Sequence, residues 1–158
     1  MIRNLDRQEI DGFLRSQLVG RLGVQAEGQP YVVPLIYAWD GEAIYVQSIE
    51  GRKIDTMRAN PRVAFEVDEY RRDAGWTSVV IEGSYEELDG EGAAHATALL
   101  LERFGGPRPA RPEVEPETRP VGVAFRIRCR QVTGRSLTRA NSKQCEAGRP
   151  AGQSQHSM

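Results

Sequence analysis

Residues Gly20 to Tyr70 read GRLGVQAEGQPYVVPLIYAWDGEAIYVQSIEGRKIDTMRANPRVAFEVDEY, and their punctuation decides the fold. Arg21 to Ala26 is a short strand closed by the turn residues Glu27-Gly28-Gln29-Pro30. Tyr31 to Trp39 follows as an almost continuously apolar run, and Asp40-Gly41 is a hairpin signal leading into a third strand, Ala43 to Ile49. The pattern then changes. Gly51 to Asn60 reads as a short helix with Ile54 and Met57 on one face and Pro61 as its stop. Val63 to Val67 returns to strand, with Glu66 and Asp68 on the face opposite Val63, Phe65 and Val67.

Working outward, Asn4 to Leu18 has Leu5, Ile10, Phe13, Leu14 and Leu18 near helical spacing, with Asn4 or Asp6 as the cap. On the other side come a loop from Glu69 to Gly75 and a fifth strand from Trp76 to Leu88, with Gly83 as a bulge. An Ala- and Leu-rich helix spans Glu91 to Phe104. Gly105 to Pro120 carries Pro107, Pro109, Pro112, Pro116 and Pro120, which favour an extended connection. Val121 to Val132 alternates strictly, with Val121, Val123, Phe125, Ile127 and Cys129 facing one way and Arg126, Arg128 and Arg130 the other. Short strands joined by turn signals predict a mainly β, antiparallel six-stranded barrel with flanking helices. One domain is expected over residues 1–138, with 139–158 a disordered tail because it lacks apolar periodicity.

Composition narrows the function classes. The chain has 158 residues, 39% apolar and 27% charged, and a net charge of -1 that gives no reason to expect nucleic-acid binding. No apolar run approaches the roughly 20 residues of a membrane helix, and the start lacks a secretory h-region; the expectation is a cytoplasmic protein with no membrane partner. Cys129 and Cys145 are far apart and His95 and His156 are the only histidines, which speaks against a zinc site; no metal is expected. His95 is expected at an exposed helix position. The Arg126, Arg128, Arg130 stripe lacks interleaved aromatics and reads as a solvated or dimer-rim face, not an RNA surface.

Two local features point to chemistry. Gly51-Arg52-Lys53 places cations in the first turn of a helix, where the macrodipole disfavours them. A bound anion resolves that conflict by accepting the free amides of the helix start and pairing with Arg52 and Lys53. The plain alternative is two solvated cations on a surface helix. Lys53 stands out further because Lys143 is the only other lysine in an arginine-rich chain. The second feature is Pro34, which cannot donate to a sheet ladder and so marks an edge strand or the open seam of a barrel. Unpaired amides and carbonyls of Val33, Leu35 and Ile36 are then available to the polar edge of a flat heterocycle. An edge covered by the first helix is the alternative.

With Gln47 and Ser48 on the neighbouring strand, this order of features resembles the pyridoxamine 5'-phosphate oxidase-like flavoproteins, nitroimidazole-resistance type. Trp76-Thr77-Ser78-Val79-Val80-Ile81-Glu82-Gly83 and Phe125-Arg126-Ile127 to Gly134 continue the likeness, which covers roughly residues 5 to 136. The resemblance implies an FMN-binding split β-barrel that forms a homodimer with flavins at the subunit interface. It further implies that Val33, Pro34, Leu35 and Ile36 lie along the isoalloxazine, that Gln47 and Ser48 meet its polar side, and that Arg52 and Lys53 hold the phosphate. Trp76 would border the pocket from the same or the partner subunit. Relatives often carry His where this chain has Gln47, so no His-dependent chemistry is carried over. The expected function is an FMN-dependent oxidoreductase acting on a small organic substrate, with no catalytic residue identified. The alternatives are a flavin carrier or sensor without turnover, and a related barrel using deazaflavin or haem.

Overall fold

The structure is a computed structural model that describes residues 1–105 and 122–138. Eight strands and three helices follow the order β1 (Ile2–Asn4), α1 (Arg7–Ser16), β2 (Val19–Ala26), β3 (Gln29–Ile36), β4 (Ala38–Trp39), β5 (Ala43–Ile49), α2 (Arg52–Ala59), β6 (Arg62–Arg71), β7 (Gly75–Leu88), α3 (Gly90–Phe104) and β8 (Gly122–Thr138). All pairings are antiparallel and form one sheet, β3-β2-β6-β7-β8-β5-β4, with β1 added to the far half of β8. Six strands are long, as expected; β1 and β4 have three and two residues. The described strands do not close on themselves, so β3 and β4 each keep one unpaired edge. This is an open, split barrel.

The turns follow from their residues. Glu27 and Gly28 both take positive φ (52° and 74°), the geometry a two-residue hairpin needs to match strand twist. Ala26 therefore pairs directly with Gln29. The expected loop Glu69 to Gly75 is shorter in the structure: β6 runs to Arg71, and only three residues precede Gly75, which starts β7 at φ 110°. A Cβ at Gly75 would lie 1.7 Å from the Leu137 carbonyl oxygen, so only glycine permits that approach.

The core lies inside the roll of the sheet. Leu22, Phe65, Val67, Ile81, Phe125 and Ile127 are completely buried, each worth about 1.5–3 kcal/mol relative to exposure. Tyr37 is buried with them, edge-on to Phe65 at 5.3 Å, and its hydroxyl donates to the Leu14 carbonyl at 2.7 Å. That bond corrects the expected strand Tyr31 to Trp39. The run breaks at Tyr37, whose backbone amide turns to the Leu18 carbonyl, because the phenol must reach a partner when it is buried.

Other boundaries differ as well, most by one or two residues. The first helix spans Arg7–Ser16, with Asp6 as its cap; Asn4 belongs to β1 and Leu18 is exposed. The last strand continues to Thr138 and contains a bulge opposite Glu82/Gly83, where Arg130 is the extra residue. Inward positions are odd up to Cys129 and even from Val132, because one added residue reverses strand parity. β5 pairs with β8 before the bulge and β1 after it. The expected Pro-rich connection from 106 and the tail from 139 lie outside the described residues, as does Val121. Among the described residues, no helix is long and apolar enough to cross a membrane, and no His, Cys, Asp and Glu cluster is arranged to hold a metal.

Candidate functional site

α2 organises the site. It leaves the end of β5 through Ile49, Glu50 and Gly51, and Gly51 is its cap residue. The Gly51 carbonyl accepts the amides of Ile54 (3.0 Å) and Asp55 (3.1 Å). The preceding amides, of Arg52 and Lys53, have no intrahelical acceptor by the geometry of any helix start, and Gly51 has no side chain to cap them. Ile54 and Met57 are fully buried and fix the underside of the helix. At the far end the Asn60 side chain donates to the Gln25 carbonyl at 2.8 Å.

The start of α2 is tied to β3. The Arg52 guanidinium lies 4.2 Å from the centre of the Tyr31 ring, a cation–π contact that holds Arg52 at the helix start. Arg52 is exposed and Lys53 half-buried, and neither forms an ion pair with a carboxylate among the described residues. Two cations and two free amides thus share the start of α2; of the carboxylates nearby, Glu50 is engaged by Arg58, and Asp55 in the first turn pairs with neither cation. That donor set suits a phosphate.

β3 is an edge strand, as Pro34 indicates, with β2 as its partner among the described residues and Pro34 opposite Arg21. Its residues alternate: Val33 and Leu35 turn toward the core, while Pro34 and Ile36 are exposed. Val33 to Ile36 therefore share an edge strand but not one side-chain face, and only alternate residues turn their backbone groups to the open side, the others facing β2. Gln47 is exposed and Ser48 half-buried near the end of β5, opposite Ala124 and Val123 of β8. The chain carries them within a few residues of the α2 start. Trp76 is not brought to this group. It pairs with Tyr70 and Leu137, and β2 and β6 stand between its strand and β3, a separation of three strand spacings of about 4.8 Å.

Several residues escaped the sequence reading. Tyr31 beneath Arg52 is one. Another group surrounds Arg58 of α2, whose guanidinium bonds both oxygens of Glu50 (2.9 and 2.9 Å) and both oxygens of Glu87 on β7 (2.9 and 2.6 Å). Glu87 also accepts the Tyr85 hydroxyl at 2.8 Å, and these bonds, that from Arg58 first, hold its carboxyl down at about 2. Between β2 and β6, Arg21 pairs with Asp68 and, at 3.7 Å, with Glu66; burial and the neighbouring Asp68 push Glu66 upward against the pull of Arg21. This cluster lines an open groove of about 450 Å³ beside Val32. A cleft of about 970 Å³ lies elsewhere, between α1, Trp39 and Val132, and includes none of the predicted residues. Its wall residue Cys129 is pushed up to about 11 by burial, which makes it a poor nucleophile. His95 is exposed on α3, edge-on to Tyr45 at 5.3 Å. The arginine stripe of β8 is neutralised by β7: Arg126 makes two bonds to Glu86 at 3.0 and 2.9 Å, and Arg130 approaches Glu82.

Comparison with known proteins bears on the fold. A protein of Rhizobium meliloti (strain 1021) is 32% identical over 145 residues, which span 85% of this chain and 95% of that protein. The crystal structure of an FAD-binding protein of Mesorhizobium loti matches with a TM-score of 0.70 and 41% identity, covering 87% of this chain and 99% of that one. A Corynebacterium glutamicum protein assigned as a pyridoxamine 5'-phosphate oxidase gives a TM-score of 0.69 at 28% identity, over 89% and 96% of the two chains. The family model for pyridoxamine 5'-phosphate oxidase matches residues 6–136, α1 and the whole sheet apart from its first strand and the last residues of β8. On its fold and on that match, the chain belongs to the pyridoxamine 5'-phosphate oxidase-like family of split barrels.

Proposed function

We propose that this protein binds FMN and serves as an FMN-dependent oxidoreductase acting on a small organic substrate. The observation that carries the reading is the start of α2, where Arg52 and Lys53 meet free helix amides and neither is ion-paired to a carboxylate among the described residues. Arg52 and Lys53 hold the phosphate, the open edge of β3 from Val33 to Ile36 offers backbone groups to the ring system, and Gln47 and Ser48 approach from β5. The flavin supplies the redox chemistry when bound, and the protein supplies binding and orientation. Family membership supports the enzyme reading, since the family includes oxidases.

The same reading includes a homodimer. Val32 is 65% and Ile36 52% exposed on the open strand, a pair of apolar side chains that a second subunit would cover. Trp76, remote from β3 within one chain, then reaches the flavin from the partner.

One observation favours a second cofactor: the 41% identical Mesorhizobium loti protein binds FAD. The α2 start accommodates the first phosphate of either flavin. The test is the absorption spectrum of the purified protein, followed by acid release and identification of what it carries. Flavin bands with released FMN are expected; released FAD selects the second reading, and a Soret or deazaflavin band overturns both. Anaerobic reduction of the bound flavin by NADH or NADPH then separates the enzyme from a carrier, which would reduce no faster than free FMN.

A further inference from the structure

We propose that Arg58 is a positioning residue that keeps the phosphate site open by holding the Glu50 carboxylate away from the start of α2. The inference rests on the phosphate reading above and deepens it. Glu50 directly precedes the cap residue Gly51. A carboxylate at that place is what a helix start ordinarily attracts, and here two cations add to the attraction. Tethered two residues from Arg52, Glu50 is at a high effective concentration and would compete with any phosphate.

The structure turns it the other way. Both Glu50 oxygens bond the Arg58 guanidinium, in the last turn of the same helix, at 2.9 Å each. Arg58 is fixed in turn from the sheet, by two bonds to Glu87 at 2.9 and 2.6 Å, and Glu87 is oriented by the Tyr85 hydroxyl. A planar guanidinium can serve two carboxylates side by side; a lysine ammonium cannot reproduce that fork. These are exposed pairs, which add little to stability, so their geometry calls for another role. Removing Arg58 frees Glu50 to fold back onto Lys53, Arg52 and the free amides. The anion site then closes on a carboxylate of its own chain.

The test compares FMN and riboflavin affinity, by quenching of flavin fluorescence, in wild type, Arg58→Gln, Glu50→Gln and the double variant, with Lys53→Ala as reference. Arg58→Gln is expected to weaken FMN about three- to tenfold and leave riboflavin unchanged. Glu50→Gln alone keeps FMN at least as tight as wild type, and in the double variant it restores what Arg58→Gln lost. Equal loss for both flavins, or no rescue by Glu50→Gln, overturns the inference and leaves Arg58 a structural residue. If Arg58→Gln folds poorly, Glu87→Gln loosens the clamp from the sheet side and must show the same FMN-selective loss; an unchanged FMN affinity there also overturns it. Lys53→Ala separates the two levels. If it discriminates FMN from riboflavin while the Arg58 variants do not, only the inference falls; if it does not discriminate, the phosphate reading falls and takes the inference with it.

Discussion

Arg52 and Lys53 occupy helix positions that electrostatics disfavours, and such conflicts are legible in a sequence because they break a local rule. The contact that holds Arg52 in place was not legible. Tyr31 lies on a strand 21 residues earlier, and only the packing of α2 across the β2–β3 hairpin brings the ring under the guanidinium. Replacing the ring should therefore loosen Arg52 without touching the fold. Tyr31→Leu is expected to lower FMN affinity about two- to fivefold, the worth of an exposed cation–π contact of about 0.5–1 kcal/mol, with Tyr31→Phe close to wild type. Fluorescence titration of the three proteins checks this; a Phe variant as weak as the Leu variant would assign the effect to the hydroxyl. Arg58 was missed for a similar reason: its partner Glu87 is 29 residues away, and a sequence shows no sign of which acid meets which arginine.

Longer patterns are more legible in this sequence than single contacts, and where the structure departs from them the cause is identifiable. Pro34 correctly marked β3 as an edge because it removes a ladder donor whatever the surroundings. The alternation of β8 held to Cys129 and then reversed, because Arg130 is an extra residue no different in polarity from its neighbours. Gly83 faces that bulge, and a Cβ there would lie 2.4 Å from the Arg128 carbonyl oxygen. Gly83→Ala should destabilise the protein by about 1–3 kcal/mol, read as a lower urea midpoint with an unchanged slope. The start of α1 was also legible, down to Asp6 as cap, but its full capping box with Glu9 was not. The Arg3 guanidinium, and then the Asp6 backbone amide, lower Glu9 from 4.5 to about 2. A depressed carboxylate contributes stability above its unfolded value and loses it as pH falls through the folded one. The difference in melting temperature between wild type and Glu9→Gln should accordingly be full above about pH 5 and close toward pH 2. A gap constant over that range would contradict the ion pair.

The open sheet bears on assembly. Its unpaired β3 edge carries Val32 and Ile36 outward, and Trp76 lies three strand spacings from the β3 part of the candidate site. If a second subunit completes it, flavin binding and association must strengthen each other. Sedimentation velocity over a dilution series should show the apoprotein dissociating at higher concentration than the FMN-loaded protein; identical curves would place the pocket within a single chain. Flavin binding itself meets its most direct test in one calorimetric comparison. Apoprotein of the wild type and of Lys53→Ala is titrated with FMN and with riboflavin, which lacks the phosphate. Phosphate held at the start of α2 predicts that Lys53→Ala loses about 1.5–3 kcal/mol of FMN affinity, some ten- to hundredfold, while riboflavin binding is unchanged. An equal loss for both ligands, or none for either, would contradict it.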